Sequence, residues 1–234
     1  MSKLIIDIET VGENFESFDS ITQETLTKWV KKDPGSGEID KAALEEVKNG
    51  LGLSPLTGRI CAIGVLDYDQ NRGVIYFDAE DSNLPEAEQS NFKFKPMNEA
   101  SMLKNFWEGA KNYDTFITFN GRGFDLPFII ARSAVHGIKI TRDLMSNRYL
   151  NSRNEVQHID LLDQLSFYGA VKRSSLHLWC RALGIESPKQ AGVSGNDVAE
   201  LFAAKRYLDI ARYNTRDLIA TKELYEKWQN FMVG

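Results

Sequence analysis

Cysteine, histidine and long apolar runs are scarce in this chain. Among 234 residues there are two cysteines, Cys61 and Cys180, and three histidines. Two distant cysteines with apolar neighbours argue against a disulfide framework or a zinc site, so we expect buried reduced thiols. No apolar run approaches the length of about 18 residues that a membrane helix needs, and no signal-peptide pattern follows Met1. We therefore expect a cytoplasmic protein without a membrane partner.

The size and composition of the chain are typical of one soluble α/β domain, with 42% hydrophobic and 11% aromatic residues. No repeat, low-complexity segment or linker divides it, so we predict a single domain over residues 1–234.

Charge is unevenly distributed between the two halves of the chain. Residues 1–120 carry 12 basic and 21 acidic side chains, a net charge of −9, whereas residues 121–220 carry 14 and 10, a net charge of +4. The second half is the better candidate for a nucleic-acid groove, although an ordinary solvated surface explains the same charges equally well. The candidate groove residues are Arg122, Arg132, Arg142, Arg148, Arg153, Lys172, Arg173 and Lys189.

The first strand is the clearest periodic segment. Between Lys3 and Glu9 the side chains alternate, so that Ile5, Asp7 and Glu9 share one face. The other face is apolar and carries Leu4, Ile6 and Ile8. This pattern predicts a central strand that ends in acids.

The remaining elements follow from periodicity and turn residues. We predict strands at 59–68, 73–79, 115–119 and 158–161, and an acidic loop over 81–95. We predict helices at 22–32, 40–49, 98–112, 125–135, 161–167, 175–183, 197–204 and 207–231. The polar segment 11–57, with its turn-prone residues 33–37, is typical of an insertion between the first two strands.

Three acidic segments suggest metal chemistry. Hydrolysis of a phosphodiester by two metal ions needs several carboxylates that converge on the metals. Asp7 and Glu9 project from one face of a strand, although a surface pair of acids would have the same spacing. Asp125 opens a helix between two apolar residues, where it could also be a cap. Tyr213 and Asp217 lie one turn apart on a helix, which is equally compatible with a mixed surface.

In this order, the three segments resemble the motifs of the DEDD exonucleases, which have the ribonuclease H-like fold. The first motif is similar to Asp7-Ile8-Glu9-Thr10, the second to Asn120–Asp125 followed by Leu126-Pro127, and the third to Tyr213–Asp217. The second is especially similar to the proofreading exonuclease of B-family DNA polymerases. A sister branch has a histidine five residues before the last acid, where this chain has Arg212, so the match is to the tyrosine (DEDDy) branch.

The resemblance implies an α/β fold with a mixed five-stranded sheet flanked by helices. It also implies a 3′-5′ exonuclease that releases nucleoside 5′-monophosphates from single-stranded ends, with two divalent ions, Mg²⁺ or Mn²⁺, as cofactors. Since 234 residues leave no room for a polymerase region, we expect a free-standing relative of the proofreading domain.

The resemblance also assigns roles. The metal ligands would be Asp7, Glu9, Asp125 and Asp217, and Tyr213 would orient the attacking water. Thr10, Asn120 and Phe124 would contact the terminal nucleotides. Lys189 or Lys172 would neutralise the scissile phosphate.

Two other functions stay open at this point. DNA is favoured over RNA by the polymerase-like second motif, but an exoribonuclease of the same architecture is the nearest alternative. A catalytically silent module that binds single strands is disfavoured because all four acids and the tyrosine are present.

Overall fold

The computed structural model describes residues 2–30, 40–79, 82–145, 148–150, 156–191 and 195–233. The turn-prone residues 33–37 and Arg153 lie outside the described residues. The strands are β1 (Lys3–Gly12), β2 (Gly58–Asp67), β3 (Arg72–Phe77), β4 (Ala87–Gln89), β5 (Phe92–Pro96), β6 (Thr115–Thr118) and β7 (Gln157–Asp160). The helices are α1 (Ser20–Thr27), α2 (Lys41–Gly50), α3 (Glu99–Ala110), α4 (Asp125–Val135), α5 (Leu161–Leu165), α6 (Leu176–Leu183), α7 (Val198–Ala203) and α8 (Tyr207–Phe231).

The seven described strands form one mixed sheet in the order β4-β5-β3-β2-β1-β6-β7. β1 is central, with β2 antiparallel to it on one side and β6 parallel to it on the other. The predicted α/β class with a mixed sheet flanked by helices is confirmed, but the sheet has seven strands where we expected five.

The additional strands, β4 and β5, come largely from the segment predicted as an acidic loop over 81–95, and that prediction is wrong for residues 87–89 and 92–95. β5 lies parallel to β3 and buries Phe92 and Phe94 beneath the sheet, with lysines at the alternate positions. Gly73 of β3 makes room for this packing, since a Cβ there would lie 2.1 Å from the ring of Phe92. The acids and the proline that precede β5 hid its short alternating pattern.

The alternation predicted for β1 is confirmed by the two hydrophobic cores that flank the sheet. Ile5 packs into the core under α8, together with Leu218 and Tyr225. Leu4, Ile6 and Ile8 pack on the opposite face, against α3 and α4. Asp7 and Glu9 therefore project toward α8, which occupies the predicted range 207–231.

Between β1 and β2, the helices α1 and α2 enclose a small third cluster of Phe15, Val30, Val47 and Leu51. α1 begins two residues earlier than predicted, because the carboxylate of Asp19 accepts hydrogen bonds from the first free N–H groups of the helix. The status of residues 11–57 as an insertion stays a prediction.

Cys61 and Cys180 are buried free thiols, as expected. None of the helices in the described part of the chain combines the length and apolar character needed to cross a bilayer.

Candidate active site

Three of the predicted carboxylates meet where α8 crosses β1. Asp7 and Glu9 come from one face of β1, and Asp217 comes from the facing side of α8. One carboxylate oxygen from each residue lies within 4.8 Å of the other two. Glu9 and Asp217 are buried and Asp7 is half-buried, so Asp7 is the most exposed of the three.

A glycine and an asparagine allow α8 to approach β1 so closely. Gly64 of β2 lies beside Asp7 in the sheet, and a Cβ at Gly64 would lie 1.8 Å from Oδ1 of Asn214 on α8. Asn214 is fully buried, and its Nδ2 donates a hydrogen bond of 2.7 Å to Oδ2 of Asp7. The same side chain also lowers the pKa of Glu9. The sequence prediction missed both residues, and the only signal was a glycine in the middle of a strand.

Asp125 reaches the cluster from the other edge of β1. β6 pairs with β1 only as far as Ile5, so the N–H of Ile8 projects beyond that pairing. Oδ1 of Asp125, at the first residue of α4, accepts this N–H at 3.0 Å. Asp125 is not one of the three clustered acids, but it lies near enough to raise the pKa of both Asp7 and Glu9.

The loop of the second motif is held in place by Asp160, at the end of β7. Its Oδ1 accepts the N–H of Asn120 at 2.9 Å, and its Oδ2 accepts the N–H of Arg122 at 2.9 Å. Asn120 has a left-handed backbone with φ of 65°, which Asn adopts more readily than most residues. Asp160 was not predicted as a site residue, and we assign it the role of fixing this loop.

Tyr213 and two cations lie beside Asp217. The hydroxyl of Tyr213 interacts with the Asp217 carboxylate and lowers the pKa of that group. The guanidinium of Arg216 lies 5.5 Å from the centre of the Tyr213 ring, and its Nε donates to the carbonyl of Pro188 at 3.3 Å. Lys189 is exposed, yet close enough to lower the pKa of Asp217. Arg216, which the sequence prediction also missed, thus links α8 to Pro188, the residue before Lys189.

An open cleft of about 400 Å³ lies next to Asp7 and Asp125, within the size range of small-molecule sites. Asn120 and Phe124 line the cleft, as their predicted contact with a nucleotide requires. Thr10 is differently placed, because its hydroxyl donates to the carbonyl of Gly52 at 2.6 Å. Any contact of Thr10 with a nucleotide must use other atoms or break this hydrogen bond.

The four carboxyl groups of the site are all hard to ionise. Burial is the largest cause, and it raises the pKa of Asp125 and of Asp217 to about 7. The pKa values of Asp7 and Glu9 are raised well above their ordinary values by burial and then by repulsion from neighbouring carboxylates. The hydrogen bond from Ile8 to Asp125 and the interaction of Tyr213 with Asp217 offset only part of this effect.

Two other buried acids of this fold, Glu99 and Asp163, are neutralised by arginine. Glu99 accepts two hydrogen bonds from Arg132, at 2.9 and 2.7 Å, and its pKa is lowered. Asp163 pairs with Arg148 and Arg173, and its pKa is lowered too. Among the described residues, no lysine or arginine forms an ion pair with the four site carboxylates. Their excess negative charge and close spacing fit a divalent cation, for which carboxylate oxygens are suitable ligands.

Comparisons with known proteins identify the family of the chain. Residues 56–233 match a family described as predicted 3′-5′ exonucleases related to the exonuclease domain of PolB. Asp7 and Glu9 precede the matched range.

Curated relatives include the catalytic subunits of DNA polymerase epsilon from two fungi. That of Emericella nidulans is 27% identical over 170 residues, and that of Aspergillus fumigatus is 28% identical over 170 residues. These alignments cover 68% of this chain, but only 8% and 7% of the relatives. The chain therefore spans less than a tenth of their length.

Among solved structures, the family B DNA polymerase of the archaeon Pyrobaculum calidifontis is similar in fold, with a TM-score of 0.60 at 17% sequence identity. The similarity covers 99% of this chain and 25% of that polymerase. Because the family match extends over more than half of the chain, the protein belongs to the family described as predicted 3′-5′ exonucleases related to the exonuclease domain of PolB.

Proposed function

We propose that the protein is a metal-dependent 3′-5′ exonuclease that releases nucleoside 5′-monophosphates from single-stranded DNA ends. The observation that carries the proposal is a set of four carboxylates beside an open cleft, three buried and one half-buried, without any ion-pair partner among the described residues. A purely structural cluster of this charge would be destabilising, as the raised pKa values indicate.

The four acids would share two divalent ions, Mg²⁺ or Mn²⁺. Asp7, Glu9 and Asp217 are close enough to one another to hold one ion, and Asp7 and Asp125 border the cleft where a second would lie. When bound, such ions activate water as the nucleophile and stabilise the charge that develops on the leaving 3′ oxygen. Asn214 holds the carboxylate of Asp7 through its 2.7 Å hydrogen bond, and thereby sets the position of the shared ligand.

Tyr213 would orient the attacking water, which supports assignment to the tyrosine branch. Burial and the neighbouring carboxylate of Asp217 raise the pKa of Tyr213 above its ordinary value, so the phenol stays protonated at neutral pH. A protonated hydroxyl is a poor base but a good hydrogen-bonding group. Its interaction with Asp217 places it at the edge of the carboxylate cluster.

Three further residues would bind the terminal nucleotides. Phe124 packs against Phe128 with ring centres 5.6 Å apart, and this contact supports its ring at the wall of the cleft, where a base could stack. Asn120 is fixed in the same wall by Asp160. Lys189 supplies a positive charge close to Asp217, where the scissile phosphate would lie.

The test is degradation of 5′-labelled single-stranded DNA and RNA with Mg²⁺, with Mn²⁺ and with EDTA. We expect stepwise shortening of DNA from a free 3′ hydroxyl, block by a 3′-phosphate, and no reaction in EDTA or with Asp7→Ala. Glu108→Ala, which removes an exposed acid from α3, is the matched control and should behave as wild type. Cleavage of circular single strands at the linear rate, or no cleavage of either nucleic acid, would contradict the proposal.

A further inference from the structure

Beyond the cleft, one buried carboxylate fixes two arginines at the surface. Arg173 lines the cleft together with Leu162. The residue after Leu162, Asp163, is buried and accepts a hydrogen bond of 2.7 Å from Arg173 and two, of 2.8 and 2.9 Å, from Arg148. Two guanidinium groups on one carboxylate leave a net positive charge, and the two arginine side chains are 44% and 48% exposed.

Aromatic rings continue this surface away from the cleft. Tyr149, next to Arg148, is 55% exposed, and its ring centre lies 4.8 Å from that of Tyr168. Phe167 is 66% exposed, although a phenylalanine gains most when it is buried. Phe167 and Tyr168 both have left-handed backbones, with φ of 50° and 58°. Consecutive non-glycine residues in this strained region that also expose a ring suggest a functional constraint rather than a packing one.

We propose that this surface, the strand track, binds the nucleotides of a single strand that lie on the 5′ side of the cleft. The strand track consists of Arg148, Tyr149, Phe167, Tyr168, Lys172 and Arg173. The inference rests on the proposed exonuclease function and names the path by which its substrate enters.

Two observations favour a single strand as the occupant. The strand track is continuous with the cleft through Arg173, so a strand whose 3′ end lies beside Asp7 can leave along it. Its basic side chains match phosphates, and its exposed rings match bases that are free to stack. A duplex has its bases already stacked on one another and would leave the rings without partners.

The test is binding to DNA oligonucleotides of increasing length, from about two to about eight nucleotides, measured by fluorescence anisotropy in EDTA so that nothing is cleaved. For wild type, affinity should rise with length. Tyr149→Ala and Phe167→Ala should each weaken binding of the longest oligonucleotide by roughly fivefold to a hundredfold and leave the dinucleotide unchanged, because each ring stacks about one base. Lys172→Gln should lower the slope of log affinity against log salt by about 0.7, the value for one phosphate contact on a single strand.

Two variants serve as matched controls. Phe231→Ala removes a ring that is 77% exposed at the far end of α8, 18 residues and thus about 27 Å along the helix from Tyr213. Lys104→Gln removes an exposed charge from α3, which packs on the opposite face of the sheet. Both should bind every oligonucleotide as wild type does.

The two hypotheses fail in different ways. If wild type does not shorten DNA, the proposed function is wrong. Suppose instead that wild type shortens DNA, but Tyr149→Ala and Phe167→Ala keep its length dependence and Lys172→Gln keeps its salt dependence. The proposed role of the strand track is then wrong. Should Phe167→Ala fail to fold, Tyr149→Ala and Lys172→Gln still decide the question, since both remove exposed side chains.

Discussion

Gly64 and Asn214 are in such close contact that adding one methyl group, as in Gly64→Ala, should disrupt the site. Gly64→Ala would place its Cβ 1.8 Å from Oδ1 of Asn214 and 2.8 Å from a methyl group of Leu218. Ordinary contact begins near 3.4 Å, so the amide of Asn214 has to move by about 1.6 Å. A movement of that size takes the amide out of hydrogen-bonding range of Asp7, which it now meets at 2.7 Å.

The expected loss is large in both stability and activity. Overpacking of a core costs about 1–3 kcal/mol, and loss of a hydrogen bond to a charged group costs a further ~1.5–3 kcal/mol. For a chain of this length, a loss of about 3 kcal/mol lowers Tm by roughly 6–12 °C. A displacement of about 1 Å of an aligned group costs about a hundredfold in rate, so single-turnover cleavage should fall by at least that factor.

Three variants make this test specific. Gly109→Ala is the matched control, because a Cβ at Gly109 has nothing within 4 Å, and its Tm should not fall. The double variant Gly64→Ala with Asn214→Ala removes the shorter clash, the one with Oδ1 of Asn214, so it should be more stable than Gly64→Ala alone while cleavage stays low. Calorimetry and single-turnover assays give both readouts. A Gly64→Ala protein as stable as wild type, or a double variant no more stable than Gly64→Ala, would refute the reasoning.

Three further predictions concern the carboxylates and the tyrosine. Asp7→Ala should retain less than about a tenth of wild-type turnover in the nuclease assay, yet stay folded with a Tm in EDTA close to that of wild type, because relief of like-charge repulsion offsets the lost hydrogen bond from Asn214. Tyr213→Phe should lower single-turnover cleavage by about 10- to 1000-fold with unchanged DNA affinity. Cleavage at the wild-type rate would mean that Tyr213 is only a packing residue. The pKa values of Asp125 and Asp217 lie near 7 in the folded protein and near 3.8 as ordinary values, so the folded state holds more protons between these limits. The free energy of unfolding of the metal-free protein should therefore fall as pH rises from about 4 to 7, and this fall should be smaller in Asp217→Asn. Mn²⁺ affinity should rise over the same range. Calorimetric measurements at several pH values would follow both.

Much of the fold could be predicted because its strongest elements have local patterns. The alternation of β1 determines by itself which face carries Asp7 and Glu9, and the two cores confirm it. The range of α8 was predicted correctly because its helical periodicity persists for 25 residues. Spacing placed Asp7 and Glu9 on one face of β1, and Asp217 with Tyr213 on one face of α8. The resemblance to the DEDD motifs is what implied that these faces meet.

The missed features all depend on contacts between distant parts of the chain. β5 becomes a strand by pairing with β3, whose Gly73 accommodates the ring of Phe92, and no local pattern encodes that fit. Asn214 is one residue from Tyr213 in sequence, but it contacts Asp7, 207 residues away, and fills the space above Gly64, 150 residues away. Periodicity could not reveal this contact, because it assigns a face to a residue but not a partner.

Buried acids of two kinds occur in this fold, and the amino-acid composition does not distinguish them. Glu99 and Asp163 are as buried as Glu9 and Asp217, but arginines lower their pKa values. The charge of these two carboxylates is therefore balanced without a ligand. The site carboxylates receive hydrogen bonds from neutral donors, among them Asn214, so their charge must be relieved by protons or by a divalent ion. Because both compete for the same oxygens, binding of the metal should release protons near neutral pH, where Asp217 titrates. Isothermal titration calorimetry of Mn²⁺ binding at pH 7, in buffers of different ionisation enthalpy, measures that release. A heat of binding that does not change with the buffer would mean that the carboxylates are already ionised, and that the charge has a partner other than the metal.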